Sequence, residues 1–325
     1  MPKLVWLNGQ ISPLEEATTT VRDHAHLYGD GLFEGIRIYN RKIFKLDEHL
    51  NRLYNGIRYM NIKMMISQEE LRQIILETCR KADLDDGYIR INVTRGTGLG
   101  LDPSKIDQTP NVMVMVSTLR IYDETYYQKG IHVITSPFRV IPPDSLDPRV
   151  KCIGRYAVNI LAKAHAHHAG AGEALMLNQQ GYVAECTGDN IFLIHKDILL
   201  TPHSSSGILK GITRDTVITL AQNAGYTIQE EFLTPYDIYA ADEAFLTGTA
   251  AEVIPFVNLD GRPIGNGKPG PITEHLTKLF HEHTKTGTPF DAKVNICPLV
   301  TRAPEKWVDR NGGSMNFMMP RGCLP

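Results

Sequence analysis

The chain has 325 residues, 42% hydrophobic and 22% charged, the balance of an ordinary globular protein with room for roughly two domains and cores that need no staple. Lys plus Arg (34) against Asp plus Glu (36) leaves a formal charge of −2, which argues against a protein that coats nucleic acid or anionic membrane, and no run of about eighteen apolar residues exists to span a bilayer. The opening MPKLVWLNGQ lacks a signal peptide's apolar stretch, and the scattered cysteines (Cys79, Cys152, Cys186, Cys297, Cys323) form no CxxC pair, so a reduced, cytoplasmic chain without disulfide framework or zinc knuckle is expected.

In chain order, Leu4 to Leu7 and Leu32 to Tyr39 read as strands, rich in branched and aromatic residues. Leu46, Leu50, Leu53 and Ile57 recur as one apolar helix stripe, and Ser67 with Glu70 forms a capping box opening a second helix through about Ala82. Strand-like runs follow at Tyr88 to Thr94 and Val112 to Ser117. The polar and aromatic segment Tyr122 to Lys129 is expected to connect two domains. Beyond it come a strand at Ile131 to Thr135 and a Pro-rich loop, Ile141 to Pro148, that stays out of regular structure. A helix over about Arg155 to His168 precedes strands near Ala174 to Leu177 and Asn190 to His195. Another helix starts around Thr213, strands lie near Glu243 to Leu246 and Glu252 to Val257, and a last helix covers about Ile272 to His283. Helices and strands that do not strictly alternate favour an α+β fold. The expected division is a smaller N-terminal α/β domain (1–121), a connection (122–130), a larger C-terminal domain (131–288) and an irregular tail (289–325).

Three clusters carry chemistry. Lys151 lies between the Pro-rich loop and a helix start, Lys151-Cys152-Ile153-Gly154-Arg155-Tyr156; a lysine there is either a solvated surface residue or a reactive amine. Gly211-Ile212-Thr213-Arg214-Asp215 opens a helix and reads either as an ordinary Thr N-cap or as a phosphate seat of free N–H groups. Thr247-Gly248-Thr249-Ala250-Ala251-Glu252 is a turn of small residues whose backbone could approach an anion closely. Together, an amine and two phosphate-seating turns are what pyridoxal phosphate requires.

These residues sit among longer motifs: Tyr28-Gly29-Asp30-Gly31-Leu32-Phe33-Glu34-Gly35-Ile36-Arg37, Tyr88-Ile89-Arg90, Glu185-Cys186-Thr187-Gly188-Asp189-Asn190-Ile191-Phe192, and Gly265 through Thr273. In this order they resemble the fold-type IV pyridoxal-phosphate aminotransferases (D-amino acid aminotransferase-like fold), above all the branched-chain amino acid aminotransferases, from about residue 3 to residue 288. The resemblance implies an N-terminal α/β domain on the substrate side, a barrel-like C-terminal domain holding pyridoxal 5'-phosphate, and a homodimer or higher homo-oligomer. It implies no nucleic-acid or membrane partner; the substrates would be amino acids and 2-oxo acids. The implied reaction is transamination between leucine, isoleucine or valine and 2-oxoglutarate.

Carried over by residue, the resemblance makes Lys151 the Schiff-base lysine and proton shuttle. Glu185 would face the pyridine nitrogen, Tyr156 the phenolic oxygen, and Leu209 would pack on the ring. Arg52, Ile212, Thr213 and Thr249 would hold the phosphate. Tyr28, Phe33, Gly35 and Arg37 would surround the substrate side chain. Tyr88, with backbone groups of Thr249 and Ala250, would hold the α-carboxylate, and Arg90 the distal carboxylate of glutamate. Arg90 should be hydrogen-bonded or water-contacted when a branched substrate sits there, because a buried unpaired guanidinium is costly. The chain departs from the family pattern at Arg155 (more often Asn), Cys186 (Gly or Ser) and Lys210 (Pro). Within the fold the alternatives are a D-amino acid or (R)-amine transaminase and aminodeoxychorismate lyase; outside it, a non-catalytic cofactor-binding protein. His165, His167 and His168 read as solvated helix-end histidines, and no metal site is expected.

Overall fold

Alternation builds the first sheet. In the strand around Ile89, Ile91 and Val93, these three residues are fully buried, and the pleat turns Tyr88, Arg90 and Asn92 to the opposite face. The structure, a computed structural model, describes residues 3–118 and 122–291; the expected tail from 292 onward, with Cys297 and Cys323, lies outside the described residues. Residues 3–118 form β1 (Leu4–Leu7), β2 (Gln10–Pro13), α1 (His24–Tyr28), β3 (Gly31–Tyr39), β4 (Lys42–Ile43), α2 (Leu46–Tyr59), α3 (Gln68–Ala82), β5 (Gly87–Thr94) and β6 (Val112–Ser117). The strands make an antiparallel sheet in the order β4-β3-β5-β6-β1-β2. The late strand Thr288–Pro289 pairs with β4 at its edge.

Both helices cover one face of this sheet. The stripe Leu46, Leu50, Leu53 and Ile57 is buried and lays α2 on β3. At α3 the expected capping box is present: Glu70 N–H donates to Ser67 Oγ at 3.2 Å, and Ser67 N–H donates to the Glu70 carboxylate at 2.7 Å. The other face is left to the strand residues of opposite parity, among them Phe33, Gly35 and Arg37 of β3, whose partners across β5 are Asn92, Arg90 and Tyr88.

The rest forms α4 (Glu124–Lys129), β7 (Ile131–Arg139), α5 (Tyr156–His168), β8 (Glu173–Leu177), β9 (Val183–Cys186), β10 (Asn190–His195), β11 (Ile198–Pro202), α6 (Ile212–Asn223), β12 (Thr227–Glu231), α7 (Pro235–Tyr239), β13 (Glu243–Gly248), β14 (Glu252–Leu259), β15 (Arg262–Pro263) and α8 (Pro271–Thr284). The sheet runs β12-β11-β10-β13-β14-β7-β8-β9, with parallel pairs at β12–β11, β14–β7 and β7–β8. Its last strand, β9, comes back against β10 and β11, so the sheet curls into the barrel-like form expected of this fold. Strands β8 and β13 are buried along their whole length, which is why residues 174–177 and 244–246 show no polar alternation.

Several elements escape a sequence reading. Strand β12, Thr-Ile-Gln-Glu-Glu, is mostly exposed at the sheet edge and shows no apolar pattern. The segment expected as a bare connection carries helix α4, capped by the Asp123 carboxylate accepting from Thr125 N–H at 2.9 Å. Strand β7 continues past Thr135 through Pro137 to Arg139 with a register shift. Among the described residues no helix is long and apolar enough to cross a membrane.

The two sheets are tied at the point where the chemistry lies. Backbone N–H groups of Phe33, Ile153 and Gly154 donate to the carbonyls of Lys151, Gly31 and Gly29 at 3.1, 2.9 and 3.0 Å. Gly29 has φ +70°, and a Cβ there would lie 2.6 Å from Gly154 Cα, so only glycine permits this approach.

Candidate active site

That backbone ladder fixes Lys151 beside β3. Lys151 Nζ donates to Tyr156 Oη at 2.8 Å and lies 4.8 Å from the centre of the Phe33 ring, which in turn meets the Tyr156 ring edge-on at 4.7 Å. Tyr156 is the first residue of α5, so the loop and the helix start bring the amine and the hydroxyl to one point. Arg90, from the neighbouring strand, stacks its guanidinium 3.6 Å from the Phe33 ring centre and donates through Nε to Asn92 Oδ1 at 2.9 Å. The hydrogen bond expected for Arg90 is therefore present.

Glu185, the third residue of β9, is buried and lines one small recess with Tyr156 and Leu209. Its carboxylate accepts from Leu209 N–H at 2.7 Å and from the Arg155 guanidinium at 3.2 Å. Burial raises the Glu185 carboxyl above its ordinary range, and the Arg155 charge pulls against that rise.

A candidate anion seat lies next to it. Helix α6 starts at Ile212 behind Gly211, and no side chain caps it. Thr213 is thus inside the first turn rather than the N-cap, which corrects the plain N-cap reading of that motif, and the first N–H groups remain open to a ligand. Gly211 packs on Asn190, whose Nδ2 donates to Leu209 O at 2.9 Å. Asn190 is also the register partner of Thr247, so the α6 start and the turn carrying Thr249 and Ala250 converge on one residue. Arg52 reaches the same place, donating from Nη1 to Lys210 O at 3.0 Å. Its other nitrogens grip Glu34 at 2.7 and 2.8 Å, and His49 meets the same carboxylate at 2.7 Å. Burial alone would raise Glu34, but Arg52 and His49 outweigh it and hold the carboxyl well below the usual range.

On the substrate side, the absence of a side chain at Gly35 makes room for Tyr88: a Cβ there would lie 2.1 Å from the Tyr88 hydroxyl. Arg37 reaches Glu252 at 3.5 Å, and Glu252 also accepts from Tyr39 Oη at 2.9 Å and contacts His281 Nε2 at 3.0 Å. Among the described residues Arg37 Nε and Thr247 Oγ1 are buried without a partner. Tyr28 stands apart from the cluster; it is exposed, and its hydroxyl accepts from Gly100 N–H at 2.9 Å. The histidines His165, His167 and His168 are exposed at the end of α5.

Sequence reasoning missed the partners. Glu34 and His49, which orient Arg52, lie on a strand and a helix whose facing is a tertiary fact; the four-residue interval from Leu46 to Leu50 gave no cue beyond packing. Asn190 belonged to a quoted motif without a role. Arg155 was visible only as a departure.

A family model described as amino-transferase class IV matches residues 31–259. A curated protein of Methanocaldococcus jannaschii is 44% identical over 285 residues, spanning 87% of this chain and 97% of that protein. A branched-chain-amino-acid aminotransferase of Pseudomonas aeruginosa is 38% identical, spanning 86% of this chain and 92% of its own. Among solved structures, a T.th. branched-chain amino acid aminotransferase with pyridoxamine 5'-phosphate superimposes with a TM-score of 0.83 at 38% identity, covering 87% of this chain and 94% of that one. With Lys151, Tyr156 and Glu185 gathered at one point beside an uncapped helix start, this chain belongs to the class IV aminotransferases, in their branched-chain-amino-acid branch.

Proposed function

We propose that this protein transaminates branched-chain L-amino acids with 2-oxoglutarate, using pyridoxal 5'-phosphate. The observation that carries the reading is the Lys151–Tyr156 contact at 2.8 Å, set against a wall of Phe33 with Arg90 stacked on it. The residues fit the cofactor by their donor chemistry: an amine, a hydroxyl beside it, a buried carboxylate, and an uncapped helix start with a guanidinium nearby. Thr213, Thr249, Ile212 and Arg52 would take its phosphate, Glu185 its ring nitrogen, Tyr156 its phenolic oxygen, and Leu209 one ring face.

When bound, the cofactor's ring draws electron density from the substrate's α-carbon and so stabilises the carbanion. Lys151 would be the base that takes the α-proton and the acid that gives it back. Tyr156 holds the amine by its hydrogen bond between these tasks. Tyr88, with backbone groups at Thr249 and Ala250, orients the α-carboxylate. The Phe33 ring offers leucine, isoleucine and valine an apolar surface. For glutamate, Arg90 turns its guanidinium from that ring to the distal carboxylate. Gly35 and Arg37 shape the same pocket.

The protein is proposed to act as a homo-oligomer in the cytoplasm. Val21, Leu99 and Leu101 are exposed around the loop that Tyr28 holds at Gly100, a patch suited to a second copy with Tyr28 at its edge. The described cysteines, Cys79, Cys152 and Cys186, are buried and unpaired, as suits a reducing compartment.

A panel of amino donors with 2-oxoglutarate tests the reading, run beside the Lys151→Ala variant. Leucine, isoleucine and valine should turn over well, and the variant should lose activity by several orders of magnitude while keeping its thermal transition. Preference for D-amino acids or for amines would reassign the chain within the fold. Normal turnover by a folded Lys151→Ala protein would overturn the mechanism.

A further inference from the structure

We infer that Arg155 is a positioning residue, which holds the Glu185 carboxylate as an oriented anion against the ring nitrogen of bound pyridoxal phosphate. The inference rests on the function proposed above. Arg155 and Glu185 are both almost wholly buried, with side chains 5% and 8% exposed, and their contact is 3.2 Å. Arg155 sits at the N-cap of α5, one residue before Tyr156, so its backbone position is set by the same turn that places Lys151 and Tyr156.

Each oxygen of Glu185 has a distinct holder. Oε2 takes Leu209 N–H at 2.7 Å and a longer contact from Asn190 Nδ2 at 3.4 Å. Oε1 takes only Arg155 Nη2, which also donates to Gly207 O at 3.1 Å. A carboxylate oxygen accepts at two lone pairs, so Oε1 keeps one for a ring N–H. Among the described residues Arg155 contacts no other carboxylate, and its Nη1 is buried without a partner. A guanidinium does not give up its proton, so this buried charge requires that Glu185 remain an anion.

The surroundings agree. Burial raises the Glu185 carboxyl, and the strongest of the influences pulling it back is Arg155, ahead of Leu209 N–H, Lys151 and Arg52. Asp189, buried nearby, has its own carboxyl raised to about 7, so it keeps its proton through the acid range and sets no charge against Glu185 there. Without Arg155 the balance shifts to the protonated acid, which cannot stabilise a charged ring nitrogen.

The test is equilibrium binding of pyridoxal 5'-phosphate to apoprotein, followed by fluorescence quenching from pH 5.5 to 9, for wild type, Arg155→Met, Arg155→Lys and Glu185→Gln. Each variant is read as a ratio to wild type at the same pH, which cancels the ionisation of the ligand's own phosphate and of Asp189. Arg155→Met should bind on the order of tenfold more weakly near pH 6 and recover toward wild type as base ionises Glu185, since a charge-assisted bond is roughly twice as strong as a neutral one. Arg155→Lys, which keeps the charge, should fall between, and adding Glu185→Gln to Arg155→Met should abolish the pH dependence that Arg155→Met adds to the wild-type profile. Should Arg155→Met fail to fold, the Arg155→Lys profile decides alone: a loss equal at every pH would overturn the inference. A pH-independent loss in Arg155→Met, or none, would also overturn it and leave Arg155 a structural residue. A wild-type protein that binds no pyridoxal phosphate, or forms no borohydride-stable link at Lys151, would instead overturn the functional reading itself.

Discussion

Arg90 has no carboxylate partner among the contacts of the described residues; its charge lies on the face of Phe33 and is steadied by Asn92. This is a resting place from which a guanidinium can leave without stranding a counter-ion, as dual recognition of leucine and glutamate requires. In Arg90→Ala the dicarboxylate half-reaction should lose on the order of 2–4 kcal/mol of transition-state binding, while the branched-chain half-reaction changes far less. Single-turnover absorbance traces with each substrate alone separate the two. Equal damage to both would place Arg90 on the shared α-carboxylate. Glu185→Gln keeps the shape and the bond to Leu209 but loses the negative charge. The turnover number should fall by a hundredfold or more, roughly the scale of one misplaced electrostatic group, with a smaller change in KM. A rise in KM alone would remove Glu185 from the ring nitrogen.

Helix α6 is proposed to act through its first turn. Gly211 touches Asn190 so closely that a Cβ would lie 2.0 Å from Asn190 Oδ1. Gly211→Ala should therefore push apart the α6 start and the strand end that carries Asn190. Pyridoxal phosphate affinity should fall on the order of tenfold, about 1.4 kcal/mol, with little change in the thermal transition of the apoprotein. Unchanged affinity by equilibrium dialysis would separate this helix start from the phosphate. The contrast with α3 is instructive. There Ser67 and Glu70 satisfy the first N–H groups internally, and that cap was legible in the sequence because all its parts lie within four residues. At α6 the legible motif, Gly211 through Asp215, was compatible with two readings. Only the location of the helix start at Ile212 separated them.

Across the whole molecule, a buried acidic cluster ties α4 to the barrel. Tyr122 Oη lies 2.9 Å from a Glu173 oxygen and 2.6 Å from an Asp189 oxygen, so its single O–H serves one carboxylate at a time, and Lys163 Nζ meets Glu173 at 2.7 Å. Burial, then the Glu173 charge, raise Asp189 from 3.8 to about 7. Between those values the folded protein holds a proton that the unfolded chain has released. This group's contribution to stability is thus complete below about pH 4 and is lost as pH rises toward 7. Asn in its place stays neutral throughout. Asp189→Asn should therefore gain on wild type by on the order of 2 kcal/mol between pH 5 and pH 7.5, measured by urea unfolding of the apoproteins. A constant difference across that range would show that Asp189 is already ionised in the fold. Comparing variant with wild type also cancels the opposite slope from buried His49, whose ring is held neutral mainly by burial.

What the sequence determined by itself is what local pattern can encode. The Leu46–Ile57 stripe, the Ser67 cap and the Ile89–Val93 alternation each specify an element, because burial on one face repeats with the element's own period. The ordered motifs around Lys151, Glu185 and Gly211 likewise carried the family and the chemistry. Tertiary structure alone decided which distant residues meet. Glu34 turns toward Arg52 because β3 is covered by α2, and Phe33 reaches Lys151 because Gly29 and Gly154 allow two backbones to touch. Strand β12, polar and at an edge, is a strand only because β11 offers it hydrogen bonds. Arg155 read as a mere substitution until the curl of the barrel sheet set Glu185 against it. A charge pair across thirty residues has no period, so only packing reveals it.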